Sequence, residues 1–410
     1  MADKINVLFL HSQSGYGADS AIHGHLMRHL DRSRFIVHLA CSRGDGPGKS
    51  PALVKFRELS DVHLRPMHFA PGFHHRSAAA IVRQFRSAAA FPFDFATLCA
   101  YVIRNRIRII HGTDHPRGAA YSVLLGRLTG ARSIVHVHVA WSNWASGPAK
   151  WAVRNADGVF SISRFVTGTI VATGTPAERV HTVLNGIDPG GWDPALDGSA
   201  VRAECGVPAG APLLLSVSRL FAKKGQRELL QAFARVLREV PDTWLLIVGA
   251  DAVEVHGGSF TAELKTLARE LGVATRVVFT GDRSDIPRFM AACDVFTMPS
   301  WEEPFGLVFL EAMAMQRPVV SLNDGGTPEA VTHDRSGLLS TRGDIQAMAI
   351  NIVRLLKDKA LRDSMGAYGR SRVLGYFTAD RMARDAAATY EAMLGRAPPL
   401  PQRGRGPVPF

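Results

Sequence analysis

The sequence predicts an α/β protein of two domains, and three observations carry that expectation. Short apolar runs such as residues 5–10 and 213–217 read as buried strands and alternate with amphipathic runs of helical period. Gly-containing turns join strand to helix again and again, as in a doubly wound parallel sheet. At 410 residues the chain exceeds what one ordinary core organises.

Composition narrows the class. With 46% hydrophobic and 20% charged residues, the chain can bury a core and is not a disordered polymer. No apolar run approaches the roughly 20 residues that span a bilayer. The opening MADKINVLFLHSQSG runs into a polar Gly loop without a cleavage-type site, so a cytoplasmic protein is expected. Cys41, Cys99, Cys205 and Cys293 are scattered, which fits buried free thiols and neither a disulfide frame nor a zinc site. Residues 1–190 hold 22 Lys and Arg against 11 Asp and Glu, whereas residues 191–410 hold 26 against 25. The excess lies in the first half, which suggests an anionic partner there: a membrane surface, a lipid-linked phosphate or an acidic glycan. Nucleic acid is not expected, because aromatic and basic residues are not interleaved as a stacking platform requires.

In the first domain, residues 5–10 are a strand followed by SQSGYGADS (12–20) and a helical run over 21–30. A Gly loop in that place cradles phosphate in several nucleotide folds. It is no dinucleotide fingerprint: Ser20 stands where the third glycine would, and no acidic residue ends the next strand, 35–40. Residues 43–95 follow no known pattern. They hold His63, His68, His74 and His75, Phe69, Phe73, Phe85, Phe91, Phe93 and Phe95, with Arg76, Arg83 and Arg86 near helical spacing. Two readings stand, an acceptor-facing surface that touches a membrane and the solvated basic face of an ordinary helix. Adjacent His74 and His75 cannot share one metal from a helix face, so neither is assigned one. Residues 107–111 form a further strand. In ARSIVHVHV (131–139) strict alternation puts His136 and His138 on one face, and His138 falls at the carboxyl edge of a parallel sheet, where ligands bind. ADGVFSIS (156–163) is the next strand, VLNGID (183–188) closes the domain, and a stretch rich in Pro, Gly and Asp to residue 210 reads as a linker.

In the second domain, strand 213–217 runs into SRLFAKKG and a helix from Gln226. Arg219 and Lys224 on that loop can close on a diphosphate from two sides. Strands 244–249 and 276–280 follow. Strand 295–298 then enters PSWEEPFGLVFLEAMAMQRPVVSLNDGGTPE (299–329), the stretch around which the chain is organised. Leu307, Leu310, Met313 and Ala314 recur at helical spacing, so a helix opens near Gly306. The amides of Phe305, Gly306 and Leu307 lack partners inside it and, with the helix dipole, make an anion site. Glu303 in the loop and Glu311 two turns into the helix reach different parts of one extended ligand. Carboxylates accept paired hydrogen bonds from vicinal hydroxyls, which points to sugar and ribose. After strand 318–321, residues 342–361 read as one amphipathic helix and 377–394 as the last. The tail 397–410 is too rich in Pro and Gly to pack.

With Pro-Ser, Phe-Gly, Pro-Val-Val and Gly-Gly-x-Pro-Glu in register around the two glutamates, residues 299–329 resemble the signature of the retaining glycosyltransferases of family 4, the glycosyl transferases group 1. The resemblance extends to about Leu394. It implies the GT-B fold: a Rossmann-like acceptor domain (1–187), a linker (188–210), a Rossmann-like nucleotide-sugar domain (211–376), a helix crossing back to the first domain (377–396), and a cleft that shuts over the donor. It implies transfer of a sugar from a nucleotide sugar, with a UDP-sugar as the expected donor, to a glycan, lipid-linked or small-molecule acceptor, with peripheral contact at the inner face of a membrane. Arg219 and Lys224 would hold the diphosphate and stabilise charge on the leaving phosphate. Glu303 with the amides of Phe305, Gly306 and Leu307 would hold the transferred sugar, Glu311 the ribose, and His138 the front face, where the acceptor enters. Gly15 and Gly17 would lie under the diphosphate or beside the acceptor. No cofactor or metal is expected, since no Asp-x-Asp occurs and fixed cations replace a divalent ion. One residue departs from the pattern: Gln316 stands where the family usually has Gly, and a positive φ there would cost about 1 kcal/mol. Two alternatives are a nucleotide-sugar epimerase of the same architecture and a non-catalytic glycan-binding protein.

Overall fold

The computed structural model describes residues 3–44, 50–69, 78–142, 145–252 and 258–396, without the side chains of 78–90. Phe73, His74, His75, Arg76 and the tail 397–410 lie outside the described residues, as do the side chains of Arg83, Phe85 and Arg86. The chain divides into two compact units. The first takes the described residues up to Asn185 and returns for those from Ala379; the second runs from Gly186 to Thr378.

In the first unit, strands β1 (Ile5–His11), β2 (Phe35–Ser42), β3 (Val62–Met67), β4 (Ile107–Thr113), β5 (Arg132–Val137), β6 (Gly158–Ser161) and β7 (Val180–Thr182) form a parallel sheet in the order β3-β2-β1-β4-β5-β6-β7. Val7, Leu8, Phe9 and Leu10 are wholly buried, so β1 is covered on both faces, which is why it reads as a continuous apolar run. The chain winds outward from β1 to β3, then returns to lay β4 on the other side of β1. That reversal opens a crevice beyond the carboxyl ends of β1 and β4. The last helix, Ala379–Met393, supplies this unit with Tyr390, which is fully buried and stacks on Phe160 with ring centroids 5.7 Å apart. Its small residues Ala383, Ala386 and Ala387 are buried along the same face.

In the second unit, β8 (Leu213–Val217), β9 (Trp244–Val248), β10 (Val277–Gly281), β11 (Val295–Thr297), β12 (Val319–Leu322) and β13 (Gly337–Ser340) form a parallel sheet ordered β10-β9-β8-β11-β12-β13. Here the direction of winding reverses between β8 and β11. Helix Gln226–Glu239 buries Leu229, Leu230, Phe233 and Val236 on one stripe against this sheet.

Several boundaries differ from the sequence reading. Residues 342–361 are not one helix: Ile345–Lys357 ends at Asp358, whose carboxylate accepts from the Leu361 amide and caps a second helix, Lys359–Tyr376. The stretch read as a linker carries a helix, Ser199–Glu204, whose Arg202 bonds the Ala292 carbonyl and Asp294. Residues 43–95 hold β3 and most of helix Ala78–Arg104. Among the described residues, no helix is long and apolar enough to cross a membrane.

Candidate active site

The carboxyl edge of the second sheet gathers the loops that follow β8, β11 and β12. Gly249 at φ +135° lets the turn after β9 meet the β8 loop, since a Cβ there would lie 1.9 Å from the Ser218 carbonyl oxygen. Gly225 at φ +72° does the same against Pro299, at 2.1 Å. Across that contact the Trp301 amide donates to the Lys223 carbonyl at 2.8 Å, and Lys223 pairs with Glu302 at 2.9 Å. The Gly325-Gly326 turn closes the other side. Its Gly326 amide donates to the Glu303 carbonyl at 2.7 Å, and a Cβ at Gly326 would sit 2.3 Å from the Pro304 oxygen. Three loops are thereby pressed backbone to backbone at the topological reversal of the sheet.

This packing sets the side chains. Lys224 Nζ donates to Glu303 Oε2 at 2.7 Å, and Glu303 is only 7% exposed. Arg219 and Lys224 share the Phe221 ring, the guanidinium carbon 5.4 Å and the ammonium nitrogen 6.0 Å from its centroid, so the two cations stand on one ring. Gly306 starts helix Leu307–Ala314 at φ +85°, with no room for a Cβ, which would meet the Phe309 ring at 2.2 Å. Phe305 is anchored below, 1% exposed and edge-on to Phe377 at 5.6 Å. The amides of Phe305, Gly306 and Leu307 therefore ride on a fixed turn. Glu311, on the second turn of that helix, has no hydrogen bond to its carboxylate among the described residues, and burial pushes its pKa up to about 7.

The remaining site residues belong to the first unit. Gly17 precedes helix Ala18–His29 and its amide donates to Ser20 Oγ at 3.2 Å. Gly15 has open space where a side chain would be, so its conformation leaves room for a ligand without demanding glycine. His138 lies just past β5, with its amide held by Asp114 Oδ2 at 2.9 Å and its Nε2 buried without a partner. Burial lowers its pKa to about 4 and raises that of Asp114 to about 7. His136 and His138 do share a face, with ring centroids 4.1 Å apart. Sequence reasoning missed the rest of the group around them. His11 and His111 end or approach the ends of β1 and β4, and His23 and Asp19 lie on the helix after β1. The available signal was a histidine near the carboxyl end of three strands that the fold makes neighbours.

Comparison with known proteins shows the family and the fold. The model of the glycosyl transferases group 1 matches residues 199–372, and that of the glycosyl transferase 4-like domain matches residues 20–186. The chain is 33% identical over 261 residues to a GDP-mannose-dependent alpha-(1-6)-phosphatidylinositol monomannoside mannosyltransferase of Mycolicibacterium smegmatis, which covers 60% of this chain and 66% of that one. It is 29% identical over 353 residues to the lipopolysaccharide core biosynthesis mannosyltransferase LpsB of Rhizobium meliloti, covering 85% and 88%. Among solved structures, Anabaena HepE in complex with UDP and glucose superposes with a TM-score of 0.75 over 95% of this chain and all of that one, at 24% identity. Two parallel sheets, each reversing at its centre, and family models covering both halves lead to one statement: the chain belongs to the group 1 glycosyltransferases of family 4 and has their GT-B fold.

Proposed function

We propose that the protein is a retaining, metal-independent glycosyltransferase that moves a sugar from a nucleoside-diphosphate sugar to a glycan or lipid-linked acceptor. One observation carries the reading. Lys224, paired with Glu303 at 2.7 Å, shares the Phe221 ring with Arg219 at the reversal point of the second sheet, beside a helix start with free amides. When donor enters, Lys224 and Arg219 turn to the diphosphate and Glu303 is released to the sugar hydroxyls. Fixed cations then stabilise the charge that builds on the leaving phosphate. Glu311 takes the ribose. His138 faces the acceptor side of the transferred sugar, with Gly15 leaving room for the substrate and Gly17 at the start of the helix beside it. The first unit takes the acceptor; its excess of basic residues favours an anionic lipid or glycan at the cytoplasmic face of a membrane. The mannosyltransferase relatives named above act on or build glycolipids, which supports that choice.

The test is turnover of UDP- and GDP-linked hexoses with phosphatidylinositol-glycan and oligosaccharide acceptors, with the anomeric configuration of the product read by NMR. A product that keeps the donor configuration, formed at a rate that Mg²⁺ or Mn²⁺ does not change, is expected. An inverted product, stimulation by those ions, or isomerised nucleotide sugar without acceptor overturns the reading.

A further inference from the structure

The core of the first unit holds three histidines that the proposed transfer reaction does not use. His23, His111 and His136 are wholly buried, and one ligating nitrogen from each can be chosen so that all lie within 4.8 Å of one another. They come from three elements: helix Ala18–His29, β4 and β5. His111 Nε2 and His136 Nδ1 are already 3.1 Å apart. Two nitrogens on one tetrahedral zinc ion, each bound at about 2.0–2.1 Å, lie about 3.3 Å apart, so the spacing of this hydrogen-bonded pair already suits ligation, which displaces the shared proton and turns both rings toward the ion.

The polar accounting is unusual for a packed core. Both ring nitrogens of His23 and Nε2 of His136 are buried without a hydrogen-bond partner. One ion takes one nitrogen from each ring, so with His136 ligating through Nδ1 it gives a partner to one nitrogen of His23, and that buried orphan needs a physical reason. Simple ring packing does not provide one. His23 stacks on His136 at 5.6 Å and meets His111 edge-on at 4.9 Å, yet neither contact satisfies a nitrogen lone pair. The third feature is the outer contact of His111. Its Nδ1 lies 2.6 Å from the Tyr390 hydroxyl, which leaves Nε2, on the other side of the ring, for His136 and His23. Metal-bound histidines are held in this way, with the second nitrogen engaged by a fixed oxygen. Burial also lowers the pKa of all three, to about 3 for His111, and so keeps the imidazoles neutral, as ligation requires.

We propose that His23, His111 and His136 bind a zinc-class divalent transition-metal ion inside the first unit. Three neutral imidazoles suit Zn²⁺, Co²⁺ or Ni²⁺ and not Mg²⁺ or Ca²⁺, which require oxygen ligands. The ion is structural and distinct from any metal on the donor diphosphate, for which none is proposed. It cross-links the helix after β1 to β4 and β5, the elements that carry the edge where His138 stands.

Because the site is enclosed, the ion must enter during folding. The experiment uses the full chain without a polyhistidine tag, unfolded with chelator and refolded with Zn²⁺, with Co²⁺ or with neither. Expected results are one ion per chain retained through desalting, tetrahedral d–d bands with Co²⁺, and a higher Tm than for metal-free protein. His23→Leu should lose the ion and the bands, and His333→Gln, in the second unit, should keep both. Should His23→Leu fail to fold, Tyr390→Phe replaces it; loss of the outer contact should weaken retention 10–100-fold. Wild-type protein that refolds and releases all metal on desalting overturns the proposal. So does a retained ion whose bands are the same in whichever of these two variants folds, since that ion sits elsewhere.

Discussion

Glu311 shows how one carboxylate can couple stability to ligand binding. Burial raises its pKa to about 7 from an ordinary value near 4.5, so the folded chain holds this proton more tightly than the unfolded one. Stability is therefore highest below pH 4.5 as far as this group is concerned, falls as pH rises through that interval, and stays reduced above pH 7. Glu311→Gln removes the penalty. Its Tm should exceed that of the parent at pH 8, by about 3 kcal/mol in stability, with the difference closing below pH 4.5. The same variant should bind nucleotide at least tenfold more weakly at pH 8 by calorimetry, because the ionised carboxylate accepts from both ribose hydroxyls and the amide cannot. For the parent, donor affinity should rise between pH 6 and pH 8. The cations act at a different stage. Arg219→Ala is exposed and should leave Tm nearly unchanged while lowering kcat 10²–10³-fold. Lys224→Ala should lower both, since it leaves Glu303 buried without its 2.7 Å partner. The residues themselves were legible in the sequence because they sit in loops with fixed neighbours. The Lys224–Glu303 bond was not, since 79 residues separate them.

At the scale of the element, the turn after helix Leu307–Ala314 repays attention. The Arg317 amide donates to the Ala312 carbonyl at 2.9 Å and the Gln316 amide to Met313 at 3.0 Å, the double bond pattern of a Schellman stop. It places Gln316 at φ +56°, exposed to solvent. The strain expected from the sequence is therefore present. Gln316→Gly should stabilise the protein by about 1 kcal/mol in chemical denaturation, without altering turnover. Strands that are continuous apolar runs, such as β1 and β8, were readable from periodicity. β3, β7 and β13 were not. β7 has three residues, and β3 contains Pro66 and Arg65 within a half-buried edge, so neither presents an apolar run. Helix Lys359–Tyr376 was missed for another reason: Asp358 interrupts what otherwise looks like one amphipathic pattern, and only its capping bond to Leu361 reveals the break.

On the scale of the whole molecule, the chain path is discontinuous where the packing is not. The first unit is left at Asn185 and re-entered at Ala379, so the second unit is an insertion within it. Two-domain organisation followed from length, and the return of the last helix to the first domain from the family resemblance; that Tyr390 would fill the first core did not, because hydrophobic pattern reports that a face is buried and not which side chains it meets. A chain ending at Thr378 should retain the second unit as a cooperative, protease-resistant fragment. It should lose the first, since the buried bond between Tyr390 and His111 and the stack on Phe160 go with the last helix. Limited proteolysis followed by mass spectrometry checks this, and protection of both halves would contradict it.

That final helix has a consequence for biosynthesis. A ribosome translating this message releases the residues of the second sheet before it supplies the piece that finishes the first. The amino-terminal half must wait, unsealed, through some two hundred codons. Nascent chains should therefore depend on chaperones during that interval, and a product shortened by premature termination would carry its own mark for disposal.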